Sequence, residues 1–139
     1  MRICIYGLGA VGGFIGARLA AAGQQVSAIA RGGMLAAVAR SGLTLVEAPQ
    51  APGDSAGRTI VPVRAVDDPA QLGPQDLVVV SVKTTGLAEV ARRIAPLIGP
   101  DTVVLTAMNG VPWWFFEGLD GGLAEREWPA IGPGRPPAA

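Results

Sequence analysis

Apolar residues along this chain fall alternately into short unbroken runs and into longer stretches of helical period. "RICIY" is a run rich in β-formers that ends at the glycines of "GLGAVGG". Ala10 to Ala22 predicts a helix through its alanines, Phe14, Ile15 and Leu19, with Gly23 as its C-terminal cap. "QVSAIA" (Gln25 to Ala30) predicts a second buried strand, "MLAAVARSG" a short helix closed by Gly42, and "LTLVE" a further strand. The stretch "APQAPGDSAG" is turn chemistry, and "TIVPVRAV" is strand-like with Pro62 confining it to an edge.

"DLVVVSVK" (Asp76 to Lys83) is a continuous β-branched run without alternation, the pattern of a parallel strand covered on both faces. Leu87, Val90, Ile94 and Leu97 then share one face of a predicted helix, whose last turn Pro96 breaks. "TVVLTAMNG" predicts one more buried strand. Strands alternating with helices specify a doubly wound, mostly parallel α/β domain, assigned to residues 1–118. Residues 119–139 have little periodicity and end Pro/Gly-rich, so they are expected to be an irregular, disordered tail.

Composition narrows the chemistry. The 139 residues suffice for one domain with a proper core, and the formal charge balances at zero without like-charge runs. Nothing therefore points to nucleic acid or an acidic membrane as partner. There is no histidine, and Cys4 is the only cysteine, so histidine catalysis, cysteine-cluster metal sites and an internal disulfide are excluded. Cys4 lies in an apolar run and reads as a small buried hydrophobe. No stretch of about twenty apolar residues exists, and glycines and Arg18 interrupt the apolar start, so a cytoplasmic protein without a leader is expected.

Gly7-Leu8-Gly9-Ala10-Val11-Gly12 matches G-x-G-x-x-G. Alone the pattern is weak, but here it follows a predicted strand and opens a predicted helix, the context of a Rossmann-like dinucleotide site. In that reading Gly7 makes the tight turn, Gly9 admits the pyrophosphate and Gly12 lets helix and strand approach closely. Free N–H groups at the helix start hold the phosphates. The plain alternative is a glycine turn without a ligand.

Where NAD-preferring sites carry Asp or Glu, this chain has Ala30-Arg31-Gly32. An arginine there pairs with a 2′-phosphate, which favours NADPH over NADH; the alternative is a solvated loop arginine. Lys83 and Asn109 each close a predicted strand, at the sheet edge that carries the glycine loop. Either alone is as readily a solvated strand end. Together they form a converging set, with Lys83 offering charge to cofactor or carboxylate and Asn109 a hydrogen bond to the nicotinamide half or the substrate.

"ICIYGLGAVGGFIGARLAAAG", "ARG", "VSVKT" and "MNGVPWWFF" together resemble the 2-dehydropantoate 2-reductase (ketopantoate reductase) family over Met1 to about Gly118. The resemblance implies NADPH-dependent reduction of 2-dehydropantoate to pantoate, on the route to pantothenate and coenzyme A. It implies that Gly7, Gly9 and Gly12, with Leu8, Ala10 and Val11 between them, hold the pyrophosphate. It places Arg31 on the 2′-phosphate, and Lys83 and Asn109 in the cofactor and substrate cleft. Family enzymes are about twice as long, and a helical C-terminal domain brings their catalytic lysine and substrate-gripping residues.

That domain is absent from these 139 residues, so no catalytic residue is assigned; Lys83 matches the family's cleft lysine, and being the only lysine does not make it the proton donor. The tail after Gly118 does not look like the family, as in a truncated copy, a shifted reading frame or a gene-model error. A free-standing nucleotide-sensing module and a non-functional fragment are the competing readings. Trp113 to Phe116 carry four of the seven aromatic residues; uncovered by a second domain, they are expected to promote self-association.

Overall fold

The structure is a computed structural model that describes residues 1–47 and 57–109. Its elements run β1 (Arg2–Tyr6), α1 (Ala10–Ala21), β2 (Gln25–Ile29), α2 (Gly32–Ser41), β3 (Leu43–Glu47), β4 (Gly57–Val61), β5 (Arg64–Val66), β6 (Leu77–Val80), α3 (Leu87–Arg93) and β7 (Val103–Thr106). The main sheet has the order β5-β2-β1-β6-β7, and its four pairings are parallel. The chain leaves β1 toward β2 on one side and returns to β6 on the other. The strand order thus reverses between β1 and β6, where open α/β sheets bind ligands.

The unbroken apolar runs are explained by cover on both faces. Ile3 and Ile5 of β1 pack with Ala17 of α1 and Val38 of α2. Cys4 and Tyr6, pointing the other way, pack with Val78 and Val80 of β6, Val90 of α3 and Leu97. Deleting a side chain such as Ile5, which has no exposed surface, would cost about 2–5 kcal/mol. In the chain beyond α3, Pro96 ends the regular helix at Arg93, and a 3-10 turn (Ala95–Leu97) seats Leu97 in the core.

Two expectations need correction and one is refined. "LTLVE" forms the expected strand, but β3 pairs antiparallel with β4 in a separate two-stranded sheet. Its alternating burial fits a ribbon with one covered face, and the Arg18–Glu47 ion pair (2.8 Å) ties it to α1. "TIVPVRAV" is two strands rather than one, because Pro62 falls between β4 and β5; β5 then takes the edge of the main sheet. Finally, β7 is exposed, with Val103, Val104 and Leu105 at 61%, 46% and 51%. A β-branched run specifies a strand, but position in the sheet decides its cover, and β7 is the outer strand among the described residues.

At the carboxyl edge the strands are tied by a series of main-chain hydrogen bonds. The N–H groups of Ala30, Gly7, Ser81 and Ala107 donate to the carbonyls of Val66, Ile29, Tyr6 and Val80, at 2.9, 3.1, 3.0 and 2.8 Å. This aligns the segments that follow β2, β1, β6 and β7 along one shelf. Among the described residues no helix is long and apolar enough to cross a membrane.

Candidate functional site

The glycine loop follows β1 because Gly7 adopts φ +103°, a conformation that side chains other than glycine rarely accept. A Cβ there would also meet Val82 Cγ1 at 2.8 Å. Gly12 is in an ordinary helical position, but its Cβ would collide with Ser81 Oγ and the Gly7 carbonyl. Gly9 differs from both: it has φ −75°, and a Cβ would meet nothing within 4 Å. Neither backbone nor packing requires glycine at position 9. The space beside it is open to an outside group. No acidic residue stands in the first turn of α1 and no side chain caps it, so the N–H groups there suit an anion.

An open cleft of about 200 Å³ lies beside this loop, between the ends of β1 and β2. Tyr6, Gly7, Leu8 and Val82 line one part of it, and Ile29, Ala30, Arg31 and Met34 the other. That volume is below the usual range of whole-ligand pockets, roughly 300–1,000 Å³, and suits one end of an extended molecule. Arg31 sits at the lip, in extended conformation immediately before α2, with its side chain 54% exposed.

The structure also brings a carboxylate to Arg31. Glu89 of α3 reaches it, Oε1 lying 2.6 Å from the guanidinium and 3.5 Å from that of Arg93. The Arg31 hydrogen bond holds the Glu89 carboxyl below its ordinary range. Tyr6, under the cleft, has a buried hydroxyl without a hydrogen-bond partner among the described residues. Burial raises its pKa, and the positive charges of Arg93 and Arg31 partly oppose the shift.

Of the residues singled out from sequence, Gly7, Leu8 and Arg31 line the cleft together, and Gly9, Ala10, Val11 and Gly12 form the adjoining helix start. Lys83 and Asn109 are exposed residues beyond the ends of β6 and β7, on the same edge but not in the cleft lining. Both strands stop earlier than the apolar pattern suggested, at Val80 and Thr106. Sequence reasoning missed Tyr6, Met34, Ser81, Val82 and Glu89. Tyr6, Ser81 and Val82 lie within the quoted motifs and were within reach; Glu89 looked like any solvent-facing helix residue. Among the described residues no group of three or more His, Cys, Asp or Glu is placed to hold a metal ion. Trp113 to Phe116 and the tail lie outside the described residues.

The family model of "Ketopantoate reductase PanE/ApbA" matches residues 3–112. The chain belongs to this family. It is 42% identical over 135 residues to a 2-dehydropantoate 2-reductase of Mesorhizobium japonicum, covering 96% of this chain and 39% of that protein. A 2-dehydropantoate 2-reductase of Nostoc sp. is 34% identical over 110 residues, covering 79% and 32%. Among solved structures, one from Ralstonia solanacearum described as a candidate ketopantoate reductase shares 50% identity at a TM-score of 0.75, covering 90% of this chain and 36% of that one. The 2-dehydropantoate 2-reductase of Geobacter metallireducens shares 33% at 0.68, covering 81% and 35%.

The α/β architecture with its mostly parallel sheet is thus that of the Rossmann-like domain of ketopantoate reductases, and the chain spans about two-fifths or less of its relatives' lengths. The family model stops at residue 112, while the alignment to the Mesorhizobium protein covers 96% of the chain and so runs past Gly118.

Proposed function

We propose that this chain is the NADPH-binding part of a 2-dehydropantoate 2-reductase-like oxidoreductase acting on a small 2-oxo acid in the cytoplasm. The observation that carries the reading is Arg31, placed on the lip of the cleft that the glycine loop lines. The residues fit the cofactor. Gly9 leaves room for a pyrophosphate, the first turn of α1 presents free N–H groups, and Arg31 offers a planar cation to a 2′-phosphate.

NADPH supplies a hydride for the ketone carbon when bound. The chain's own part is to hold and orient it. Lys83 and Asn109, farther along the same edge, would face the reacting half: Lys83 by attracting a carboxylate, Asn109 by hydrogen bonding. The proton for the developing alkoxide would come from outside these residues. The 139-residue chain by itself is therefore expected to bind NADPH and to turn over 2-dehydropantoate negligibly.

Thermal melting of the chain with NADPH and with NADH tests the assignment. Ligand at a hundredfold its Kd stabilises by about 2.7 kcal/mol, so a cooperative transition should rise, and more for NADPH than for NADH. Equal shifts would remove the NADPH preference. Absence of a cooperative transition would show that these residues do not fold alone. Turnover at rates typical of the full-length relatives would overturn the expectation of inactivity.

A further inference from the structure

Arg31 is not waiting with an unoccupied guanidinium. Glu89 Oε1 lies 2.6 Å from it, nearer than any other ion pair among the described residues. Carboxylate and phosphate compete for the same fork of N–H donors, and two anions on one guanidinium repel each other. A 2′-phosphate arriving at Arg31 must therefore reckon with Glu89.

The surroundings give the displaced carboxylate somewhere to go. Arg93 already stands 3.5 Å from the same Oε1, one helical turn along α3. Its guanidinium is fixed by a hydrogen bond of 3.0 Å to the Asp67 carbonyl. Glu89 can thus release Arg31 and keep a partner, its carboxylate turning the remaining distance toward Arg93. The Arg31 and Glu89 side chains are 54% and 35% exposed, so the exchange happens in a wet setting where one pair is readily traded for another.

With a cofactor lacking the 2′-phosphate, the balance reverses. A ribose 2′-hydroxyl has a proton to donate, and a carboxylate is the group that accepts it in NAD-preferring sites. Resting on the NADPH reading above, we infer that Glu89 is a specificity-determining residue: it is the internal counter-ion that a 2′-phosphate displaces from Arg31 onto Arg93. Cofactor preference is then set by the pair, Arg31 pulling toward NADPH and Glu89 toward NADH.

The test is the dissociation constant of NADPH and of NADH for the whole chain and for Glu89→Gln, with melting of each variant to confirm folding. Glu89→Gln should tighten NADPH by about two- to fivefold, the worth of an exposed ion pair, and leave NADH unchanged or weaker. Arg93→Met, which removes the receiving cation, should weaken NADPH by a similar factor and leave NADH alone. Looser NADPH binding by Glu89→Gln, or equal changes for the two cofactors, would overturn the inference. Failure of the underlying reading looks different: the unaltered chain binds neither dinucleotide. Adenosine 2′-monophosphate then decides, since tighter binding by Glu89→Gln retains the exchange and unchanged binding removes it.

Discussion

Ser81 Oγ donates a 2.7 Å hydrogen bond to the carbonyl of Gly7, joining the end of β6 to the turn after β1. The two residues flank the point where strand order reverses, so the bond fixes the glycine loop against the next strand. Ser81→Ala is expected to cost about 1 kcal/mol, the usual worth of a hydrogen bond, and to lower the melting temperature by about 3–5 °C. The additional shift on adding NADPH should also shrink, because the loop loses its tie. An unchanged melting curve would show that the bond contributes nothing.

The glycines of the loop should separate into two classes. Gly12→Ala drives a methyl group into Ser81 Oγ and the Gly7 carbonyl, overpacking that costs about 1–3 kcal/mol or more. Gly9→Ala places its methyl in open space with an ordinary backbone and should leave stability within about 0.5 kcal/mol. Gly9→Ala should nonetheless weaken NADPH. Denaturant melts and NADPH titrations of both variants check this; a destabilised Gly9→Ala with normal binding would reverse the assignment.

Acid should weaken the fold partly through Asp76. Its carboxylate accepts the Arg2 backbone N–H at 2.7 Å and pairs with the Arg2 guanidinium at 3.3 Å. The backbone hydrogen bond is the larger cause of a pKa held below the ordinary value. A carboxyl depressed in the folded state contributes stability above its unfolded pKa, and loses it as pH falls through the folded one. Glu89, depressed through Arg31, acts in the same direction. Melting temperatures from about pH 6 to about pH 3 should fall less steeply for Asp76→Asn than for the unaltered chain. Parallel curves would exclude the contribution.

Cys4 is fully buried in β1, and burial pushes its thiol up to about 12. The nucleophilic thiolate is then almost absent at neutral pH. An alkylating reagent should label the native chain far more slowly than the chain in denaturant. Rapid native labelling would mean that β1 opens readily.

Much of the fold was legible because it is written in local patterns. The runs "RICIY" and "LVVV" identify the two central strands, and the G-x-G-x-x-G spacing identifies the turn between β1 and α1. Pairing was less legible. "LTLVE" reads as a strand wherever it pairs, and only the three-dimensional path of the chain puts β3 against β4. Nor does "TVVL" disclose that β7 lies at the rim. In the site, Arg31 and the loop glycines carry their chemistry in sequence context. Glu89 does not, because its meaning comes from an arginine on the other side of β1 that no periodicity connects to it.

The shelf of hydrogen bonds at the carboxyl edge is made by main-chain groups, and the N–H partners of Gly7, Ala30, Ser81 and Ala107 are all carbonyls. Such ties survive almost any change of side chain, proline excepted. The determinants at positions 31 and 89 hang from that shelf without supporting it. Exchanging the charges at positions 31 and 89 is therefore expected to change the dinucleotide preference proposed above while the frame beneath stays as it is.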